Sequence, residues 1–203
     1  MAEQLLDKDG LTEEEFLASY DVTKFERPSV TVDIIIIRDN KTLLIKRGGH
    51  PCIGRLAFPG GFCEMNEDLY TAAARELKEE TGLTAKNLRM LRCFSRPDRD
   101  PRTRIITAPF LCDIEDGEVA VAGDDASDAS WYTVGKKEIT AGGKRICEIT
   151  LSASGFCESV KVSVAEPDGM IGDAVYTTIG KSPLAGDHAE ILCLALDELE
   201  RRK

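Results

Sequence analysis

The sequence predicts an α/β fold, a sandwich of helices on a mixed β-sheet. Short strand-like apolar runs are interleaved with one central helical pattern and closed by one late helical pattern, an order that suits helices layered on a sheet. The run DIIII, Asp33 to Ile37, reads as a strand covered on both faces. A region rich in alternating residues, about 136–182, separates the last of the earlier strands from the late helix and reads as an added β-hairpin.

Taken in order, Leu11 to Tyr20 predicts a short helix, with Thr12 and Glu15 at capping-box spacing. Phe25 to Val30, holding Pro28, leads into the sheet, and Thr31 to Arg38 forms its first strand. Asp39-Asn40 makes a turn, so Lys41 to Lys46 returns as a second strand. After a loop from Gly48 to Gly54, the short strand Leu56 to Phe58 runs into Pro59-Gly60-Gly61. A helix from about Glu67 to Thr81 follows, with Leu69, Ala73 and Leu77 on one face, and Gly82 ends it. Further strands are expected at Leu88–Phe94, Ile105–Ile114 and Trp131–Val134. Arg145–Ser152 and Glu158–Glu166 alternate around Ser154-Gly155, the signature of a hairpin. The late helix spans about His188 to Arg201, with Asp187 as its expected N-cap.

Composition narrows the class. A chain of 203 residues with 42% hydrophobic and 31% charged residues suits one soluble domain with a proper core. No apolar run has membrane-span length, and MAEQLLDKDG lacks the basic and apolar parts of a secretion signal, so a cytoplasmic location is expected. Seven cysteines without a CxxC pair argue against a zinc site or a disulfide framework. Cys63 stands out only for lying near the glycine turn. The formal charge of −10 argues against nonspecific binding to nucleic acid or anionic membrane. A phosphate-bearing partner would then need metal ions and local arginines to reverse the field.

The chemistry is concentrated between Gly61 and Leu83. Glu76, Glu79 and Glu80 follow Arg75, and on a helix their carboxylates fall within an arc of roughly 100°. Hard oxygen ligands gathered this way favour Mg²⁺ or Mn²⁺, and those ions favour phosphate chemistry. The spacing is Gly61, five residues, Glu67, seven residues, then Arg75-Glu76-Leu77, one residue, Glu79-Glu80, one residue, Gly82-Leu83. At average residue usage, the seven polar or glycine matches among these fall by chance well below about one in 10⁷ per start point. A solvated acidic helix face explains Glu79, Glu80 and Gly82 but not Gly61, Glu67 and Arg75 at their offsets.

This pattern resembles the Nudix box of the Nudix hydrolases, with no fixed position missing. The resemblance implies a Nudix-type α/β/α sandwich on a mixed β-sheet, with an extra hairpin insertion before the C-terminal helix. It divides the chain into an N-terminal helical segment, 1–24, and a Nudix domain, 25–203, with the box at 61–83 and the β-rich insertion at about 136–182. It also implies hydrolysis of a nucleoside diphosphate linked to a further group. By the same analogy Glu76, Glu80 and the Gly60 carbonyl bind Mg²⁺ or Mn²⁺, with Glu79 as a further ligand. Glu67 and Arg75 brace those ligands. The general base in the family is often a carboxylate before the Trp-bearing strand, where GDDASDASW offers Asp124, Asp125 and Asp128. Asp125 is preferred, and Glu79 and Glu80 are the catalytic carboxylates within the box.

The run RPDRDPRTR, with VTVDIIII, the Pro59-Gly60-Gly61-Phe62 turn and GDDASDASW, is similar to the ADP-ribose pyrophosphatase branch and to related ADP-ribose-sensing proteins. Arg47, Arg99 and Arg102 are the substrate-binding candidates, since arginine can grip phosphate through two parallel bonds. For Arg99 and Arg102 the alternative is a loop stiffened by Asp–Arg pairs, such as Asp98 or Asp100 with Arg99. The expected reaction converts ADP-ribose to AMP and ribose 5-phosphate. Dinucleoside polyphosphates or nucleoside triphosphates are alternative substrates, and a non-catalytic ADP-ribose-sensing regulator is the alternative of another class. A small-molecule nucleotide is the expected partner, and the resemblance suggests a homodimer.

Overall fold

The computed structural model describes residues 5–115, 126–167 and 174–202, with backbone alone at 126–128. Its elements are α1 (Glu13–Ser19), β1 (Ser29–Arg38), β2 (Lys41–Arg47), β3 (Leu56–Ala57), β4 (Gly60–Phe62) and α2 (Leu69–Thr81). They continue with β5 (Ala85–Met90), β6 (Ile105–Ile114), β7 (Ala126–Ala141), β8 (Lys144–Ala153), β9 (Phe156–Ala165), β10 (Val175–Ile179) and α3 (His188–Glu200).

One mixed sheet joins them in the order β10-β9-β8-β7-β2-β1-β6-β5, with β3 beside β2 and β4 beside β1. β1 and β6 run parallel, and β1, β2 and β7 are antiparallel neighbours. The two-period of the strands sorts their side chains into two cores. Val32, Ile34 and Ile36 of β1, Leu43 of β2, and Ala108, Phe110 and Cys112 of β6 pack under Ala72, Ala73 and Leu77 of α2. Ile35, Leu44 and Leu111 project to the other face, against Ile191, Leu192 and Ala195 of α3. The sheet therefore lies between α2 and α3, the sandwich expected from the sequence.

Local chemistry fixes the ends of the elements. Asp39 and Asn40 take positive φ of 52° and 57°, the backbone of a tight hairpin turn between β1 and β2. Asp68 caps α2 by accepting the Thr71 N–H at 2.8 Å, and Gly82, at φ 69°, closes it in the left-handed region. Both halves of the Thr12–Glu15 capping box form at α1, although α1 buries no residue.

The β1–β2 hairpin pairs only next to its turn, at Ile37–Thr42 and Arg38–Lys41. Beyond that the strands part. β4 takes the edge of β1 at Thr31–Asp33, and β3 takes β2 at Ile45–Lys46. The opened wedge becomes the cleft described below.

Several details differ from the sequence reading. The strand expected at Leu88–Phe94 lies at Ala85–Met90, and Phe94 keeps only an isolated bridge to Thr107. Prolines at 97 and 101 and the paired charges between them favour a loop there. Trp131–Val134 is the middle of a 16-residue strand, whose first half pairs with β2 and second half with β8. The region after 135 is therefore a continuation of the main sheet. Cys147, Ile149, Leu151, Val160, Val162, Val164 and Tyr176 all join the core beneath α3. β10, VYTTI, was not read from the sequence; it pairs antiparallel with β9. No helix among the described residues is long and apolar enough to cross a membrane.

Candidate active site

The wedge between β1 and β2 is a cleft of about 380 Å³. Asp33, Arg47, Phe58, Gly60, Gly61, Phe62, Glu80, Arg99, Arg102, Asp187 and His188 are among its walls. Its floor is the glycine turn between β3 and β4. There the Pro59 carbonyl accepts the Ile34 N–H at 2.8 Å, and the Gly60 N–H is donated to Glu80 Oε2 at 2.8 Å. Only glycine fits at Gly60: a β-carbon there, at φ 158°, would lie 2.1 Å from the Val32 carbonyl oxygen. At Gly61 an added side chain would have to displace the Glu76 carboxylate.

The box residues converge around Arg75. Its Nε and Nη2 donate to Glu67 at 3.1 and 2.5 Å, and its Nη1 donates to Glu76 at 2.8 Å and Glu79 at 3.0 Å. Nη2 also reaches the Phe62 carbonyl at 3.1 Å, which ties the helix to β4. The bonds from Arg75 lower the Glu67 pKa, and those to Glu67 in turn raise that of Arg75. A guanidinium shared among three carboxylates holds their rotamers in place.

Glu76 and Glu80 behave differently from Glu67. Burial raises the pKa of Glu76, and it pushes Glu80 up to about 7. At Glu80 the Gly60 N–H works the other way, Glu76 and Asp33 add repulsion, and Arg47 relieves some of it. Half-buried carboxylates that repel one another beside a glycine turn are chemically suited to a hard divalent cation. Glu79 stands more exposed, its side chain 58% accessible. The set thus fits Mg²⁺ or Mn²⁺. The Cys63 thiol is pushed up by burial and donates to the Glu67 carbonyl at 3.5 Å, which leaves it a poor nucleophile.

The arginines are placed less simply. Arg99 grips Asp187 through Nε and Nη2, both at 2.8 Å, and the two side chains are 7% and 5% accessible. Asp187 occupies the N-cap position of α3, as expected, but its carboxylate makes no cap bond, because Arg99 takes both oxygens. The partner of Arg99 is thus neither Asp98 nor Asp100. Arg102 is held by Asp100 at 3.0 and 2.8 Å and lies over the Phe62 ring, 5.4 Å from its centre. Arg47 donates Nε to the Pro51 carbonyl at 2.8 Å. Asp124 and Asp125 lie outside the described residues, as does the side chain of Asp128.

Sequence reasoning missed Asp33 and His188. Asp33 is 7% exposed and accepts from Thr107 Oγ1 at 2.6 Å. His188 Nε2 stands 3.5 Å from Asp33 Oδ1. A charged residue inside an otherwise apolar strand was the available signal, since buried carboxylates need partners.

A second acidic group, Glu138, Asp197 and Glu200, has metal-like spacing. Lys136 Nζ already bonds to all three, at 3.1, 2.7 and 2.5 Å, and Arg145 adds a second cation at Glu138 and Asp197. It anchors α3 to β7 and β8.

A mixed sheet between two helices, with carboxylates drawn to a glycine turn, defines a class that comparison identifies. A model of the NUDIX domain matches residues 27–144, more than half of the chain, and the chain belongs to the Nudix family. An ADP-ribose pyrophosphatase of Methanocaldococcus jannaschii is 50% identical over 105 residues, 52% of this chain and 62% of that protein. The chain thus spans less than two thirds of that relative. A MutT/nudix family protein from Enterococcus faecalis is similar across 94% of this chain and 70% of its own, at 34% identity and a TM-score of 0.69. The NUDIX domain of Shewanella oneidensis NrtR, in a cocrystal structure with ADP ribose, is 29% identical with a TM-score of 0.54. That match covers 60% of this chain and 82% of the neighbour.

Proposed function

We propose that the chain is a pyrophosphohydrolase, dependent on Mg²⁺ or Mn²⁺, that cleaves ADP-ribose to AMP and ribose 5-phosphate in the cytoplasm. The observation that carries the reading is the convergence of Glu76 and Glu80 on the Gly60–Gly61 turn, with Arg75 holding Glu76 and the more exposed Glu79. The relative named as an ADP-ribose pyrophosphatase and the neighbour crystallised with ADP ribose support that choice of substrate.

Glu76, Glu80 and the Gly60 carbonyl would hold the ion, with Glu79 at its exposed side. When bound, it supplies charge neutralisation to the diphosphate and a lowered pKa to the attacking water. Arg75 and Glu67 keep the carboxylates in place. Arg47 and Arg102, on the cleft wall, offset the negative field that the chain presents to a diphosphate. Asp125 or Glu79 takes a proton from the water. The water oxygen bonds to one phosphorus, the P–O–P bridge breaks, and the bridging oxygen leaves with the electron pair on the other phosphate. Arg99, its charge taken up by Asp187, shapes the wall of the cleft.

Purified protein with Mg²⁺ is to be offered ADP-ribose, NADH, diadenosine polyphosphates and nucleoside triphosphates, with products separated by chromatography. Preferential release of AMP from ADP-ribose is the expected result. Preference for a polyphosphate would move the substrate within the same chemistry. Likeness to the NrtR domain favours, as a second reading, an ADP-ribose sensor. Tight binding of ADP-ribose without release of AMP would select it. Leu17, Val22 and Phe25, each more than half exposed near an unburied helix, fit the suggested homodimer. Sedimentation velocity measures that directly.

A further inference from the structure

The turn that carries Gly60 is fastened at three points. The Pro59 carbonyl is bonded to the backbone of β1, and the Gly60 N–H to Glu80. The third fastening comes from the far end of the chain. Phe58 lies just past the end of β3, and its N–H is donated to His188 Nδ1 at 3.0 Å, across 130 residues of sequence. The imidazole also stacks on the Phe58 ring, at 5.4 Å between centres and 13° between planes.

The ring itself is oriented from behind. A neutral imidazole that accepts at Nδ1 carries its proton on Nε2, and Nε2 faces Asp33 Oδ1 at 3.5 Å. Thr107 Oγ1 fixes Asp33 at 2.6 Å. The neighbouring Asp187 is clamped by Arg99, so the first turn of α3 is anchored on both sides of the cleft. A relay thus runs from Thr107 through Asp33 and His188 to the Phe58 amide, two residues before Gly60. Packing alone would not select it, because leucine could cover Phe58 as well. What leucine could not do is accept from a backbone N–H.

We propose that His188 is a positioning residue for the ion-facing turn: its Nδ1 sets the height and tilt of Phe58-Pro59-Gly60, and thereby the direction of the Gly60 carbonyl. This rests on the hydrolase reading above. His188 touches neither the ion nor the substrate in this role. Its effect falls on ion affinity and kcat, with little on the KM for ADP-ribose.

The test compares the whole chain with two variants. His188→Leu keeps bulk and removes the acceptor. His188→Asn puts an amide oxygen where Nδ1 stood. Mn²⁺ affinity is read by electron paramagnetic resonance, and Phe58 amide exchange by NMR without metal. His188→Leu is expected to weaken Mn²⁺ binding and lower kcat by about 10- to 100-fold, the range for groups that orient metal ligands, while its Phe58 amide loses protection. His188→Asn is expected to remain within a few-fold of the parent in all three. Equal Mn²⁺ affinity in the parent and a folded His188→Leu overturns the proposal, and so does a His188→Asn as impaired as the leucine variant. Where His188→Leu does not fold, the asparagine variant decides alone. A parent that binds no Mn²⁺ ends the hydrolase reading instead. Phe58 exchange then decides the hold on the turn: protection lost only in His188→Leu sustains it, and equal exchange in all three removes it.

Discussion

Glu76 occupies the space that a side chain on Gly61 would need: a β-carbon there would lie 2.4 Å from Glu76 Oε1 and 2.6 Å from Oε2. The carboxylate has little room to retreat, being 12% accessible and bonded to Arg75 at 2.8 Å. Gly61→Ala is therefore expected to lower kcat about 10- to 100-fold by displacing an ion ligand. Its melting temperature stays near that of the parent, since the clash falls on a site and not on the core. Steady-state kinetics beside a thermal melt separates the two effects.

Glu80 accepts a bond from Gly60 but is held against burial and its acidic neighbours. Glu80→Gln keeps an acceptor for Gly60 and removes the charge. Turnover is expected to fall roughly 100-fold or more, through loss of the ion. Without metal at pH 8, the variant is expected to melt several degrees above the parent. Activity unchanged in a metal-dependent assay would contradict the ligand assignment.

The same carboxylate predicts a pH dependence. Its folded pKa of about 7 stands above the ordinary 4.5. Below about 4.5 both folded and unfolded chains hold the proton, so the folded state has its full advantage. Between 4.5 and 7 the unfolded chain releases it first, and stability falls; past 7 the fall is complete. At about 1.4 kcal/mol per unit this amounts to on the order of 3 kcal/mol. Glu76, also raised by burial, adds in the same direction. Saturating Mg²⁺ replaces the proton, so the gain in melting temperature on adding Mg²⁺ is expected to grow from pH 5 to pH 8. Differential scanning calorimetry at four or five pH values checks it.

Arg99 and Asp187 are buried together. Arg99→Met leaves a carboxylate without its partner and is expected to cost about 3–5 kcal/mol. Asp187→Asn in the same chain is expected to recover part of that. A double-mutant cycle from urea unfolding measures the coupling. Strictly additive losses would mean that the pair does not act as a unit.

The sequence showed the box, the ends of α2 and the two-faced burial of β1, because each is set by neighbours a few residues apart. Gly82 ends α2 where its left-handed φ is needed, and the DIIII run packs into both cores. What it hid were contacts made across the chain. Arg99 meets Asp187 over 88 residues, and His188 meets Phe58 over 130. The N-cap position of Asp187 was legible because capping is a local rule, but the buried arginine that takes its carboxylate oxygens lies in a distant loop. The length of β7 was hidden too. It changes partners from β2 to β8 at Thr133, and no local pattern marks such an exchange.

Crystals grown with Mn²⁺ and AMP offer the most direct test, through anomalous scattering at the manganese edge. The expected result is a peak within coordination distance of the Glu76 and Glu80 carboxylates and the Gly60 carbonyl, with the AMP phosphate completing the shell. An empty map there, with those side chains turned to solvent, would contradict the hydrolase reading.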